Sequence, residues 1–134
     1  MAAQINETVR KFLERANVAV LATRSRARGV QATPVWFLYD GSHILINTAT
    51  GRVKLRNMQA NPEVALAVID RENPYRYVQI QGKVVGFDTQ NAGKDIDRLS
   101  HRYRGQPYDY PGGDAPANRI SIRIAPERVN VMGF

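Results

Sequence analysis

Apolar residues recur at two different periods along this chain, and the switches between them divide it into elements. Over residues 6–15, Val9, Phe12, Leu13 and then Ala16 fall on one side at helical spacing, with Asn6 placed to cap the first turn, so the chain opens with an amphipathic helix. The period then shortens. Residues 18–23 form a short apolar stretch with β-branched side chains at intervals, and Arg26-Ala27-Arg28-Gly29 turns it into a second strand over 30–39. Asp40-Gly41 is the strongest short hairpin signal and leads to a strand over 43–48, so these three strands form an antiparallel meander. A short cationic helix starts at Gly51-Arg52 and is stopped by Asn61-Pro62. Strands over 63–70 and 77–87 flank the turn at Arg71-Glu72-Asn73-Pro74. Residues 95–103 read as a helix, 106–118 as a loop rich in Pro, Gly, Asp and Tyr, and 119–131 as a last strand in which Pro126 requires an edge or a bend.

Alternation in the strand over 77–87 separates Val78, Ile80, Gly82, Val84 and Gly86 from Tyr77, Gln79, Gln81, Lys83, Val85 and Phe87. The first set is a core face. The second mixes amides, a cation and aromatics, which fits a subunit interface or a wet ligand groove, or else an ordinary outer sheet face. Six strands with short turns and few helices favour a mainly β fold, a closed or half-closed antiparallel barrel that hides its edges. With 134 residues, 43% of them hydrophobic, residues 1–134 fit a single domain.

Charge narrows the partners. A formal charge of +7, from 19 basic and 12 acidic residues, favours an anionic ligand or surface. Fifteen of the basic residues are arginine, which suits bidentate recognition of phosphate or carboxylate, although a GC-rich genome produces the same bias. The cations are dispersed along the chain instead of clustered with exposed aromatics, which argues against a nucleic-acid-binding module. The absence of cysteine removes thiolate metal sites and thiol nucleophiles, and two histidines, His43 and His101, make a metal site improbable. No apolar run is long enough to span a bilayer, and Met1-Ala2-Ala3-Gln4-Ile5-Asn6 lacks the features of a signal peptide, so a cytoplasmic location is expected.

The richest local chemistry lies where the third strand runs into the cationic helix, from Ile44 through Asn47, Thr48 and Thr50 to Arg52 and Lys54. A helix start presents free N–H groups and the positive end of its dipole, and side chains tilt toward that end, so Arg52 and Lys54 are placed to approach a bound anion with Thr48 and Thr50 adding hydroxyls. The plainer reading is a solvated helix start capped by Thr48 or Thr50. Pro34 removes a ladder donor from the second strand, so the strand lies at an edge, is bulged, or faces a gap there. Trp36 shares its face with Ala32, Pro34 and Leu38 and serves either the core or a stacking surface. His101 could move a proton near neutral pH, but its helical spacing from Arg98 also fits a plain surface position.

Taken together, Ala32-Thr33-Pro34-Val35-Trp36-Phe37, the series Arg52, Lys54, Asn57, Asn61-Pro62, the segment Tyr103-Arg104-Gly105 with Pro107-Tyr108, and the closing Arg123-Ile124-Ala125-Pro126-Glu127-Arg128-Val129 resemble the pyridoxamine 5′-phosphate oxidase-like split-barrel superfamily. Within it the chain is similar to the flavin/deazaflavin oxidoreductases that use coenzyme F420 (8-hydroxy-5-deazaflavin). The resemblance implies a homodimer of six-stranded FMN-binding-type split β-barrels with an anionic cofactor and a small organic substrate in a groove between subunits. By that analogy Arg52 and Lys54 hold the phosphate, helped by Thr48 and Thr50, and Thr33, Pro34, Val35 and Trp36 line the tricyclic ring. Asn47 and Asn57 belong to the same cofactor-binding set, and Gln79 of the partner subunit would bond the ring's polar edge. The implied reaction is hydride transfer between reduced deazaflavin and an organic acceptor, with no dedicated nucleophile and with the acceptor's proton coming from solvent or a tyrosine. FMN is the alternative cofactor, and a non-catalytic cofactor carrier is an alternative from another class.

Overall fold

A seven-stranded antiparallel sheet dominates the computed structural model, which describes residues 4–134. Met1 to Ala3, the start of the segment read for a signal peptide, lie outside the described residues. In chain order the elements are α1 (Glu7–Leu13), β1 (Val18–Ser25), β2 (Gly29–Val35), β3 (Leu38–Tyr39), β4 (Ile44–Ala49), α2 (Val53–Ala60), β5 (Glu63–Ile69), β6 (Tyr77–Asp88), α3 (Ala92–Arg104) and β7 (Arg119–Met132). Two single 3-10 turns, Pro111–Gly113 and Pro116–Asn118, lie between α3 and β7. Among the described residues no helix is long and apolar enough to cross a membrane.

The sheet order is β2-β1-β5-β6-β7-β4-β3, which puts β2 and β3 at opposite edges. Only Trp36 and Phe37 separate them along the chain. Val35 and Leu38 are three Cα steps apart, at most about 11 Å even when extended, so the sheet has to curl until its two edges approach each other. This is a split barrel, and it corrects the expected architecture in two respects. The stretch read as one strand over 30–39 breaks at Trp36, giving seven strands in place of six. The meander is also interrupted, because β2 pairs with β1 while β3 pairs with β4. Pro34 sits on an edge strand, where its missing N–H costs no ladder bond.

Curling is assisted by two bulges between β6 and β7. Gln81 faces Arg128 but Gly82 faces Pro126, leaving Glu127 unpaired, and Val84 faces Ile124 but Gly86 faces Arg123, leaving Val85 unpaired. Pro126 therefore marks a bend inside a central strand, since β7 also pairs with β4. The alternation read in β6 holds, with Val78, Ile80 and Gly82 buried and Gln79, Gln81 and Lys83 exposed. Phe12, Leu13, Phe37, Leu66, Ile80 and Ile122 are among the largest side chains enclosed by the curl and α1.

The Asn6 carboxamide caps α1 by accepting from the Val9 N–H (2.9 Å), as the sequence predicts. The Asp40 carboxylate organises the β3–β4 turn by accepting from the N–H groups of Ser42 and His43. At the other end of α1, the Arg102 guanidinium of α3 donates to the carbonyls of Leu13, Glu14 (2.7 Å) and Arg15, and its plane lies 5.4 Å from the Phe37 ring. The Leu13 and Glu14 carbonyls are acceptors left open at the helix end, the Arg15 carbonyl beyond it also accepts from the Asn17 N–H, and Arg102 satisfies them while packing its stem. Arg102→Ala should destabilise the fold by about 2–3 kcal/mol, seen as a lower urea midpoint at unchanged slope, with Arg102→Lys recovering only part. A midpoint unchanged in the alanine variant would contradict this role.

Candidate functional site

Where the chain crosses from one sheet edge to the other, a cleft of about 430 Å³ opens between the barrel and α3. Its rim on one side is Pro34, Val35 and Trp36. Ile96, Leu99 and Tyr103 of α3 face them, and Tyr108 approaches from the following loop. Asn47, Thr48, Arg52, Lys54 and Arg119 line the polar end.

The aromatic wall is rigidly held. The Trp36 indole stacks on the Tyr103 ring at 5.6 Å and 9°. The Tyr103 hydroxyl donates to the Asn17 carbonyl (2.8 Å) and accepts from the Phe37 N–H (3.3 Å), so the wall is tied to the residue before β1 and to the β2–β3 crossing. Burial raises the Tyr103 phenol above its usual range, which keeps it neutral and hydrogen-bonded. Tyr108 meets Trp36 edge-on at 6.3 Å, and Tyr110 meets Tyr108 edge-on at 4.8 Å. The loop tyrosines thus buttress the wall edge-on.

At the polar end, α2 begins with Arg52 as its N-cap and no side chain bonded to the first-turn N–H groups. Neither Thr48 nor Thr50 caps the helix, contrary to the plainer sequence reading. No carboxylate among the described residues pairs with Arg52 or Lys54. Lys54 is held below its usual lysine range, first by partial burial and then by the positive charges of Arg52 and Arg119. An uncompensated, partly desolvated ammonium beside open helix N–H groups is what an anion would satisfy.

The sign of that shift gives a pH prediction. Free Lys54 loses its proton at a pH below the ordinary lysine value, and a bound anion favours the charged form. Anion affinity should therefore fall as pH rises through the depressed value, and Lys54→Arg, which stays protonated, should flatten this alkaline limb. For stability the same shift works the other way: charged Lys54 is unfavourable in the folded chain, so its contribution improves as pH rises from the depressed value to the ordinary one. A titration of affinity against pH that is equally steep in the arginine variant would contradict the assignment.

Arg119 has no signal as a site residue in the sequence beyond a charge standing next to an apolar strand, yet it is 7% exposed and lines the cleft. Its Nε donates to Asn47 Oδ1 (2.9 Å) and its Nη1 to Asp114 Oδ2 (2.9 Å), and its Cζ lies 5.2 Å from the centroid of the Tyr108 ring. Asn47 in turn donates to the Ala92 carbonyl and to Ser121 Oγ, and Ser121 donates to the buried Asp95 carboxylate (2.7 Å). This chain of polar groups orients the Asn47 amide and the Arg119 guanidinium.

Of the residues singled out from the sequence, Pro34, Val35, Trp36, Asn47, Thr48, Arg52 and Lys54 meet at this cleft. Thr50 lines an adjoining basin of about 320 Å³ that shares Arg52 and Tyr108 with the cleft. Thr33 does not line the cleft, and its buried hydroxyl has no partner. Asn57 is buried under α2, donating to Thr23 Oγ1 (3.1 Å), where it ties helix to sheet. Gln79 lies on the exposed outer face of β6, outside the chain's own cleft. His101 is half exposed beside Asp97, also outside the cleft. No group of metal-binding side chains occurs among the described residues.

A family model described as pyridoxamine 5′-phosphate oxidase matches residues 5–133. Among solved structures, an F420 reductase is 34% identical, with a TM-score of 0.83 over 94% of this chain and 98% of that one. A conserved hypothetical protein from Mycobacterium tuberculosis (21% identity, TM-score 0.72, 98% of this chain and 86% of that one) and General Stress Protein 26 from Bacillus anthracis (17%, 0.69, 94% and 92%) share the fold. None of the curated proteins matches the sequence.

Proposed function

This chain belongs to the pyridoxamine 5′-phosphate oxidase-like split-barrel superfamily and, within it, to the flavin/deazaflavin oxidoreductases, and on that premise we propose that it is an F420-dependent reductase of a small organic acceptor. The observation that carries the reading is one cleft joining a flat aromatic wall to two uncompensated cations at a helix start. These residues fit a planar ring with an anionic tail. Arg52 and Lys54 would hold the phosphate, and Pro34, Val35 and Trp36 would lie along the ring. When bound, the deazaflavin supplies a hydride to an acceptor held against its ring.

The chain's own residues orient and desolvate. Trp36 and Tyr103 form a surface that the hydrogen bonds of Tyr103 keep from moving, and Ile96 and Leu99 exclude water from α3's side. Tyr103, engaged with Asn17 and Phe37, positions the wall and is not the acceptor's proton source; solvent or Tyr108 serves that role. Asn57 supports the site indirectly by fixing α2 to β1. As the proposal has it, the protein is a cytoplasmic homodimer whose outer β6 face, with Gln79, completes the partner's site.

A second reading, FMN in place of F420, is favoured by the family model itself. Parallel fluorescence titration of apoprotein with F420 and FMN, followed by reoxidation of the bound reduced cofactor by organic acceptors, tests both. Tight F420 binding with acceptor-dependent turnover supports the proposal. Preference for FMN moves it to the second reading, binding without turnover to any acceptor points to a cofactor carrier, and binding of neither sinks it.

A further inference from the structure

Arg52 stands at the junction of two cavities, the aromatic cleft and the adjoining basin of about 320 Å³. A phosphate gripped there has its ring on one side and open space on the other. The basin's wall includes Thr50, Gly112, Gly113 and Asp114, and a Cβ built on Gly112 or Gly113 meets nothing within 4 Å. A ligand that ends at its phosphate leaves this basin unused, whereas one that continues past the phosphate enters it.

Asp114 is the acidic residue lining that basin, and it neutralises Arg119 at 2.9 Å, with side-chain exposures of only 13% and 8%. Arg119 retains a directional role: Nε and Nη1 are held by Asn47 and Asp114, while Nη2 has no acceptor among the described residues. The cleft therefore combines two cations without a carboxylate partner, Arg52 and Lys54, with a guanidinium donor that is ion-paired to Asp114. A phosphomonoester would bring its second negative charge and free terminal oxygens toward the Asp114 carboxylate. A phosphodiester would bring one charge and an uncharged ester oxygen leading onward into the basin.

We propose that the Asp114–Arg119 pair is a specificity element, supplying a hydrogen-bond donor already ion-paired to a carboxylate and biasing the cleft toward phosphodiester and away from phosphomonoester ligands. The inference rests on the reading that the cleft takes a phosphorylated cofactor, and it assigns the chemical class of that cofactor's linkage.

The test uses phenyl phosphate and methyl phenyl phosphate, which share a ring and differ by one charge at pH 8, where the monoester is essentially dianionic. Both are titrated into wild type, Asp114→Asn and Arg119→Gln, read by NMR on the Arg52 side chain and the Trp36 indole. Asp114→Asn keeps the Oδ1 acceptor used by the Ala115 N–H and uncovers the Arg119 charge, so the monoester-to-diester affinity ratio should rise on the order of tenfold. Arg119→Gln leaves Asp114 uncompensated, so the ratio should fall by a similar factor. Since the two variants move in opposite directions, either one that folds decides the sign. A ratio within twofold of wild type, or one moving the wrong way, overturns the inference, as does the failure of both esters to shift the wild-type signals. Loss of F420 binding in the parallel titration with these ratio changes intact would remove the deazaflavin reading and leave the Asp114–Arg119 assignment standing.

Discussion

Replacing Arg52 and Lys54 together by alanine should weaken binding of the anionic cofactor by about two to four orders of magnitude, because each charge-assisted hydrogen bond lost is worth about 1.5–3 kcal/mol. The folded chain should survive the change. Neither side chain makes an ion pair among the described residues, and charged Lys54 is disfavoured where it stands, by burial and by two neighbouring cations. The double variant should therefore melt at or slightly above the wild-type temperature at neutral pH. Gains in stability on deleting residues are characteristic of sites kept for binding at a cost to the fold. Calorimetric melting alongside the F420 and FMN titrations separates the two effects. A variant that binds as wild type would remove these cations from the site, and one that melts far lower would make them structural.

That pairing of lost affinity with retained fold also explains which parts of the site were legible in the sequence. Arg52 and Lys54 stand out because a helix start is a local feature, readable from the Gly51 turn and the strand before it. Alternation in β6 likewise needs only neighbouring residues, and of the core face it predicts Val78, Ile80 and Gly82 are buried while Val84 and Gly86, past the bulge at Glu127, are half-buried. Arg119 and Asp114 were invisible for the opposite reason. Their roles depend on β7 pairing with β4 so that Ser121 lies across from Asn47, a contact between residues far apart in the chain. For Trp36 the alternation leaves core and stacking surface equally open, because nothing in the apolar pattern marks the break in the strand. Once β2 and β3 occupy opposite edges of the curled sheet, the residue linking them stands at the opening. The count of six strands failed at the same point, since two residues of crossing do not interrupt the apolar pattern over 30–39.

The second large effect falls on the curl itself. Gly82→Ala should destabilise the protein by about 3 kcal/mol, since overpacking that forces backbone shifts costs about 1–3 kcal/mol and this collision is at the severe end. A Cβ at Gly82 would lie 2.6 Å from the Ala125 carbonyl oxygen and 3.0 Å from Ile124 Cγ2. The first of these is backbone in a central strand and has no rotamer by which to give way. Relief requires β6 and β7 to separate beside the bulge at Glu127, where the close approach of the two strands sets the bend at Pro126. Urea unfolding should show a lower midpoint with the slope preserved. The cleft lies at the far end of β7, where Arg119 is held by Asn47 and Asp114 and not by the bulge, so cofactor affinity in the folded fraction should change far less than in the Arg52/Lys54 variant. A Gly82→Ala protein as stable as wild type would show that β7 yields at no cost and that the close packing of glycine does not hold the barrel's curvature. One that folds stably but loses affinity as severely as the charge variant would instead tie the bulge directly to the geometry of the site.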